Sequence, residues 1–170
     1  TVHQTLDFSA LTSITGIELD SGTTINGSTI NTTLGVGQSL ILDSITDGDA
    51  GAASLADGGI RISQPNSATS LDLTLDDIGP PSAATNENLF LDFAGTSLTT
   101  ANIISANNSF VVLENSGGAL ATLNLSGTGT LELLGSLANS ITTINASDSS
   151  ANLKLSPGTA GSVITGGSGN

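Results

Sequence analysis

The sequence predicts an all-β chain, and the architecture it favours is a parallel β-helix or β-roll solenoid. Two observations predict the strands. Apolar and polar residues alternate in many short stretches, and no long window has apolar residues at helical spacing. Alternation with a period of two is typical of a strand that buries one face. A third observation, the scarcity of aromatic residues, favours a solenoid.

The alternating stretches recur along the whole chain. They are SLILDSI (39–45), SLDLTLDD (70–77), NLFLDFAG (88–95), ATLNLSG (121–127), TGTLELLG (128–135) and ANLKLS (151–156). Between them lie segments rich in Gly, Asn, Asp and Ser, which are residues that favour turns. At about 20 residues per rung, the chain would form about eight rungs. Such a stack would be roughly 40 Å tall.

The core composition separates a solenoid from a sandwich. The chain has four Phe and no Trp or Tyr. Stacked rungs can be filled with Leu, Ile, Val and Ala, whereas a sandwich core of this size usually includes Trp or Tyr. The β-sandwich stays as the alternative fold.

A possible subdivision is marked by the pair Pro80-Pro81 in the loop-like segment DDIGPPSAATNE. We expect solenoid rungs in residues 1–78 and C-terminal rungs in 121–170. Residues 79–120 would form either a loop-rich β insertion or continuing rungs. One continuous domain over 1–170 fits the sequence as well.

The charge balance restricts the partners. Fifteen acidic residues stand against only Arg61 and Lys154, for a net charge of −13. Two cations cannot neutralise a phosphate backbone or an anionic lipid surface, so neither nucleic acid nor membrane binding is expected. No apolar run approaches the ~20 residues of a spanning helix, so no membrane insertion is expected either. An acidic chain of this kind either needs a counter-cation or has a solvating role, and calcium is the cofactor we expect.

The segment DSITDGDAG (43–51) is the strongest calcium candidate. Asp43, Asp47 and Asp49 stand at i, i+4 and i+6, among glycines that allow a tight turn. Calcium takes six to eight oxygen ligands, which flexible acidic loops supply. The alternative is an Asp-Gly turn between two strands. Asp76 and Asp77 would either add calcium ligands or cap a turn.

The C-terminal segment 140–170 resembles the stretch that leads into the calcium-binding nonapeptide repeats of RTX proteins. ITTINAS (141–147) matches the pattern V/I-T-T-I-D-A-S, with Asn145 where the family often has Asp. GGSGN (166–170) matches the start of G-G-x-G-N-D. Residues 5–31, TLDFSALTSITGIELDSGTTINGSTIN, are similar to units of large RTX adhesins and bacterial S-layer proteins.

This resemblance implies a parallel β-roll, type I secretion, a place on the extracellular cell surface, calcium, and lattice or adhesive assembly. It implies that Gly166, Gly167 and Gly169 would offer carbonyl oxygens to calcium. We therefore expect the chain to be the part of a larger protein that lies upstream of the nonapeptide repeats.

Three classes of function stay open. A structural module would assemble with copies of itself in a calcium-dependent lattice. An adhesin or ligand-binding module would hold cell-surface polysaccharide, or ice through the Thr-rich stretch 23–33. A polysaccharide lyase or epimerase would need sugar-stacking aromatic residues and several basic residues. The chain has no Trp or Tyr, one Arg and one His, His3, so we do not expect an enzyme. Arg61 and Lys154 would lie on solvated strand faces or contact an acidic neighbour.

Overall fold

The computed structural model describes residues 4–20, 24–25, 27–47, 58–79 and 89–169. These residues form only strands, turns and irregular segments, and two sheets of seven strands each dominate the structure. Nowhere in the described ranges is there a helix that could cross a membrane. The prediction of an all-β fold is confirmed.

Each sheet contains one strand from every described rung, in chain order. Sheet A consists of β1 (Gln4–Asp7), β4 (Thr29–Thr33), β7 (Gly59–Ser63), β9 (Leu89–Phe93), β11 (Ser109–Glu114), β13 (Leu131–Ser136) and β15 (Leu153–Ser156). Sheet B consists of β2 (Gly16–Asp20), β5 (Ser39–Asp43), β8 (Ser70–Asp76), β10 (Thr100–Ser105), β12 (Thr122–Gly127), β14 (Thr143–Asn145) and β16 (Val163–Thr165). A small third sheet pairs β3 (Thr24–Ile25) with β6 (Thr46–Asp47).

The chain passes from sheet A to sheet B and back, so each rung gives one strand to each sheet. Every strand pairing in the described ranges is parallel, as a solenoid requires. The described strands make seven rungs, where about eight were predicted. The reason is the unequal rung length: Asp72 and Asn102 on neighbouring rungs are 30 residues apart, but Asn102 and Asn124 are only 22 apart.

The rungs continue through residues 89–120. Strands β9, β10 and β11 join the same two sheets in register with the strands before and after them. Residues 80–88, with the Pro pair that suggested a subdivision, lie outside the described residues.

The core lies between the two sheets and consists of columns of aliphatic side chains. In sheet B, residues of neighbouring strands stack in register along the column Leu40, Leu73, Ile103 and Leu125. All four are at most 1% exposed. A fully buried side chain of this size contributes about 1.5–3 kcal/mol by leaving water. Such columns need few aromatic residues, and Phe93 is the only fully buried Phe among the described residues.

Two corners of the solenoid depend on residues with a left-handed backbone. Ser44 and Asp77 follow the ends of β5 and β8 and have φ angles of 53° and 54°. Each is followed by a fully buried isoleucine, Ile45 or Ile78. Asp adopts this conformation more readily than most non-glycine residues. The corner therefore turns the chain and directs the next side chain into the core.

Candidate functional site

The predicted calcium segment 43–51 is described only in part. Asp43 is the last residue of β5, is half-buried, and accepts a hydrogen bond from Ser44 Oγ at 2.8 Å. Asp47 is the last residue of β6. Asp49 lies outside the described residues. The calcium site at these three aspartates therefore stays a prediction.

Asp76 and Asp77 lie at the next corner. Asp76 ends β8 and accepts a hydrogen bond from Asn107 Nδ2 on the following rung at 2.6 Å. Asp77 occupies the left-handed corner position described above. These contacts fit the turn-capping alternative for this pair. A calcium-ligand role for the two residues stays a prediction.

The strand register forms an acidic row that the sequence did not reveal. Asp20 is the register partner of Asp43, and Asp43 is that of Asp76, so the three lie on consecutive rungs. Neighbouring strands are about 4.8 Å apart. Within the described ranges, no group of three or more acidic or histidine side chains could hold a metal ion. The acidic row is a concentration of negative charge along one margin of sheet B.

The predicted calcium-binding glycines pack against the preceding rung. A Cβ atom on Gly167 would overlap the carbonyl oxygen of Ser149, and one on Gly169 would overlap that of Ala151. Ser168 N donates a hydrogen bond to Ser149 O at 3.0 Å. Gly166, in contrast, has open space where a Cβ would lie. Close packing thus accounts for two of these three glycines, and their role as calcium ligands stays a prediction.

An amide column runs across the outer face of sheet B. It consists of Asp72, Asn102, Asn124 and Asn145, which are register partners on four consecutive rungs. Asn102 Nδ2 donates to Asp72 Oδ1 at 2.6 Å, and Asn124 Nδ2 donates to Asn102 Oδ1 at 2.7 Å. An amide both donates and accepts, so a column of Asn can link successive rungs in one direction.

A charged network crosses three rungs of sheet A. The side chain of Asp92 has no exposed surface and accepts hydrogen bonds from Arg61 Nε at 2.8 Å, Ser116 Oγ at 2.6 Å and Ser116 N at 2.8 Å. Glu114 is the register partner of Asp92. Burial, together with the Asp92 charge, raises the pKa of Glu114, and Arg61 partly opposes this. Arg61 thus contacts an acidic neighbour, which was one of its two predicted roles.

Lys154 makes the equivalent contact nearer the C-terminal end. Its Nζ bonds to Oε1 of Glu132, its register partner on the preceding rung. The Lys154 side chain is 74% exposed, so it lies on a solvated face and also contacts an acid. Both cations of the chain therefore link consecutive rungs of sheet A.

Gln38 holds the turn of the first rung. It is buried, and its Nε2 lies 3.2 Å from Phe8 O, 3.0 Å from Leu11 O and 3.0 Å from Ile14 O. Its Oε1 accepts a hydrogen bond from Gly35 N at 2.6 Å. One amide side chain thus satisfies backbone groups of the segment between β1 and β2.

The stretch proposed for ice binding is turned partly inward. Thr29 and Thr32 on β4 are buried, with exposures of 5% and 0%. A Thr array that binds ice would have to lie at the surface, so these two residues are not available for it.

A shallow groove lies on the outer face of sheet B, beside the amide column. It has a volume of about 360 Å³, and its polar lining includes Asn102, Asn124, Asn145 and Asp148. Ile104, which is 43% exposed, adds an apolar side chain. Amide and carboxylate groups of this kind can form hydrogen bonds with hydroxyl groups such as those of a sugar chain.

No protein-family model matches this chain, and no curated protein or solved structure matches it either. The resemblance to RTX proteins stays a prediction that depends on the motifs quoted above.

Proposed function

We propose that this chain is a structural module of a secreted bacterial surface-layer protein, and that it assembles with copies of itself outside the cell in a calcium-dependent manner. The observation that carries the proposal is the use of polar side chains to link rungs. The amide column, the Asp92 network and the Lys154–Glu132 pair all join one rung to the next.

Such cross-links suit a module that has to keep its shape under load. Each hydrogen bond contributes about 0.5–1.5 kcal/mol, and those to charged groups about 1.5–3 kcal/mol. They act in parallel with the backbone ladders and the aliphatic columns. Pulling one rung away from its neighbour therefore breaks several kinds of contact together.

Calcium would act on the charge of the module. Copies with a net charge of −13 repel one another, most strongly at low salt. Divalent cations at acidic surfaces would remove part of this repulsion. The acidic row and the partly described segment 43–51 are the surfaces that we propose for them.

The test is a calcium titration of chelator-stripped protein, followed by light scattering. We expect large particles to form as calcium rises to about 1 mM, the weak end of extracellular calcium modules. They should dissolve on addition of a chelator and should not form with magnesium. Protein that stays monomeric over this range would rule out calcium-dependent assembly.

A pair of double variants locates the responsible acids. Asp43→Asn/Asp76→Asn removes two carboxylates of the acidic row. Asp72→Asn/Asp148→Asn removes two from elsewhere on the sheet B side and makes the same change in net charge. The first pair should shift the calcium midpoint upward several-fold more than the second. Equal shifts would mean that net charge alone controls assembly.

A second candidate function is binding of cell-surface polysaccharide, which the groove on sheet B favours. In that case neutral bacterial polysaccharides should bind chelator-stripped monomer. Asn145→Leu should weaken this binding, because it replaces an amide of the groove with an apolar group. If Asn145→Leu loses polysaccharide binding but still assembles with calcium, the groove has an adhesive role that is separate from assembly.

A further inference from the structure

We infer that the groove on the outer face of sheet B binds a chain of amino sugars, whose protonated amino groups face Asp148 and whose hydroxyl groups bond to the amides of the groove. This inference rests on the second candidate function, because it names the class of polysaccharide that the groove would take. The groove lies within the sheet, since β8 and β16 continue the sheet on either side of β10, β12 and β14, which carry the groove.

The hydrogen bonds of the amide column are interrupted inside this groove. Asn124 Nδ2 donates to Asn102 Oδ1 at 2.7 Å, and the next donor along the column would be Asn145, the register partner of Asn124. The Oδ1 atom of Asn145 instead accepts a hydrogen bond from Ser147 N at 3.1 Å. In the part of the chain that the structure describes, Asn124 Oδ1 and Asn145 Nδ2 have no hydrogen-bond partner. One acceptor and one donor on neighbouring rungs are therefore available to a ligand.

Two further polar side chains of the groove are available as well. Those of Ser126 and Asp148 make no hydrogen bond or ion pair with any other described residue. Ser126 is half-buried on β12, and Asp148 is exposed in the turn after β14. Hydroxyl and amide groups both donate and accept hydrogen bonds, and the hydroxyl groups of a sugar do the same. The free groups of the groove can therefore pair with several hydroxyl groups of one chain.

Ile104 supplies an apolar contact among these polar groups. Its side chain is 43% exposed on β10 and lies in the lining of the groove. A sugar ring has an apolar face of C–H groups in addition to its hydroxyl groups, so a bound ring can cover Ile104 and remove apolar surface from water. The volume of about 360 Å³ lies within the range of roughly 300–1,000 Å³ that is usual for ligand sites.

The charge of sheet B determines which sugars suit the groove. The strands of this sheet carry acidic residues but no Lys or Arg. Both cations of the chain, Arg61 and Lys154, lie on sheet A, where each bonds to an acid. An anionic sugar would meet Asp148 without a cation to balance it. A protonated amino group gains an ion pair with Asp148, so amino sugars should bind better than neutral sugars and acidic sugars least well.

The binding of three oligomers to the full, chelator-stripped chain tests this inference. The probes are a glucosamine oligomer with free amino groups, the same oligomer with every amino group acetylated, and an oligolysine of similar length. Isothermal titration calorimetry measures each Kd at a pH at which the amines are protonated. We expect the glucosamine oligomer to bind about fivefold more tightly than the acetylated form, as for one exposed ion pair. Oligolysine has the charge without the hydroxyl groups and should bind more weakly than either sugar.

A pair of charge reversals locates the carboxylate that is responsible. Asp148→Lys should weaken binding of the glucosamine oligomer at least about tenfold, because it replaces an attraction with a repulsion. Asp20→Lys makes the same change in net charge at an exposed position of β2. Strands β2 and β10 are three strand spacings apart, about 14 Å. This exceeds the Debye length of about 8 Å at physiological salt, so Asp20→Lys should weaken binding less than about threefold.

An apolar pair of variants tests the contact with Ile104. Ile104→Ala should weaken binding of the glucosamine oligomer and of its acetylated form alike, by about threefold or more, because the sugar ring loses its apolar partner. Val36→Ala is the matched control, since Val36 is 62% exposed in a turn of the second rung and lies outside the groove. It should leave both Kd values unchanged. Circular dichroism checks that all four variants fold.

The outcomes separate this inference from the proposed function. Tighter binding of the glucosamine oligomer without calcium-dependent particle growth would support the inference and reject the lattice role. Equal Kd values for the two sugars would overturn the inference and leave the second candidate function in place. If neither sugar binds, both fail. Oligolysine that binds as tightly as the glucosamine oligomer would also overturn the inference, as would equal effects of Asp148→Lys and Asp20→Lys, because either result would mean a general attraction of cations.

Discussion

Arg61 on β7 donates a hydrogen bond from Nε to Oδ2 of Asp92 on β9 at 2.8 Å, and the Asp92 side chain has no exposed surface. The Arg61 side chain is 46% exposed, so the two partners differ in burial. A buried carboxylate without its cation is costly, whereas a half-exposed guanidinium can be solvated. Loss of Arg61 should therefore destabilise the fold more than the contact distance alone would suggest.

Arg61→Ala should lower the free energy of unfolding by about 2–3 kcal/mol. This is below the ~3–5 kcal/mol typical of a broken buried pair, because Ser116 still donates two hydrogen bonds to Asp92. Urea unfolding followed by circular dichroism measures the change, since the chain has no Trp or Tyr. Lys154→Ala is the comparison and should cost less than Arg61→Ala, because the Lys154 side chain is 74% exposed and that of Glu132 keeps an exposed fraction of 11%, where Asp92 has none. Equal losses would contradict the importance of burial.

A second prediction concerns the direction of the amide column. Asn102→Asp removes the donor to Asp72 and places two carboxylates at a contact of 2.6 Å. We expect a loss of about 1–2 kcal/mol at neutral pH, the cost of a lost hydrogen bond and an unfavourable contact. The loss should shrink in acid, where a protonated carboxyl again donates.

The exchanged pair provides the rescue. In Asp72→Asn/Asn102→Asp, the amide at 72 can donate to the carboxylate at 102, so most of the stability should return. A double-mutant cycle gives the coupling between the two positions. Additive effects in this cycle would show that the hydrogen bond does not link the rungs.

The sequence alone could predict the repeated strands but not which residues on neighbouring strands pair with one another. Alternation reveals which residues face inward, as in SLDLTLD of β8, where the Leu residues are buried. Pairing depends on the length of each rung, which changes from 30 to 22 residues between Asp72, Asn102 and Asn124. Without that length, the amide column could not be foreseen.

The same reason explains what was missed at the candidate site. The predicted calcium ligands Asp43, Asp47 and Asp49 are acids that lie close together in the chain. The acidic row instead joins Asp20, Asp43 and Asp76 across rungs. Gln38 was missed as well, because a Gln that bonds only to backbone groups has no sequence pattern.

The raised pKa of Glu114 leads to a third prediction. Burial and the charge of Asp92 raise the pKa of Glu114 in the folded chain above its ordinary value of 4.5, which applies to the unfolded chain. Below that pH both states are protonated and Glu114 causes no loss. As pH rises above it, the unfolded state ionises first, so this residue destabilises the fold until the folded carboxyl also ionises.

Glu114→Gln cannot ionise and should be free of this loss. Its stability should equal that of the unmodified chain in acid and exceed it at neutral pH. Urea unfolding at a series of pH values between about 3 and 8 measures the difference, which spans the carboxylate titration range. A difference that is the same at every pH would mean that Glu114 does not titrate with folding.

The last prediction concerns the C-terminal glycines, for which calcium binding and close packing give different results. In Gly167→Ala the new methyl group would overlap the carbonyl oxygens of Ser149 and Ala146. The last turn would have to separate from the preceding rung, with a local loss of about 1–3 kcal/mol typical of overpacking. The amide of Ser168, which bonds to Ser149 O, should then exchange with solvent about tenfold faster or more, even without calcium.

Gly166→Ala is the matched control, because open space surrounds its Cβ position. Hydrogen exchange followed by mass spectrometry should show no change at Ser168 in this variant. If close packing is the reason that residue 167 is glycine, the amide of Ser168 exchanges faster in Gly167→Ala than in Gly166→Ala. This difference should be present in chelator as well as in calcium. If both variants exchange normally in chelator but lack the added protection that calcium gives the unmodified chain, the glycines serve the metal, and the packing explanation is wrong.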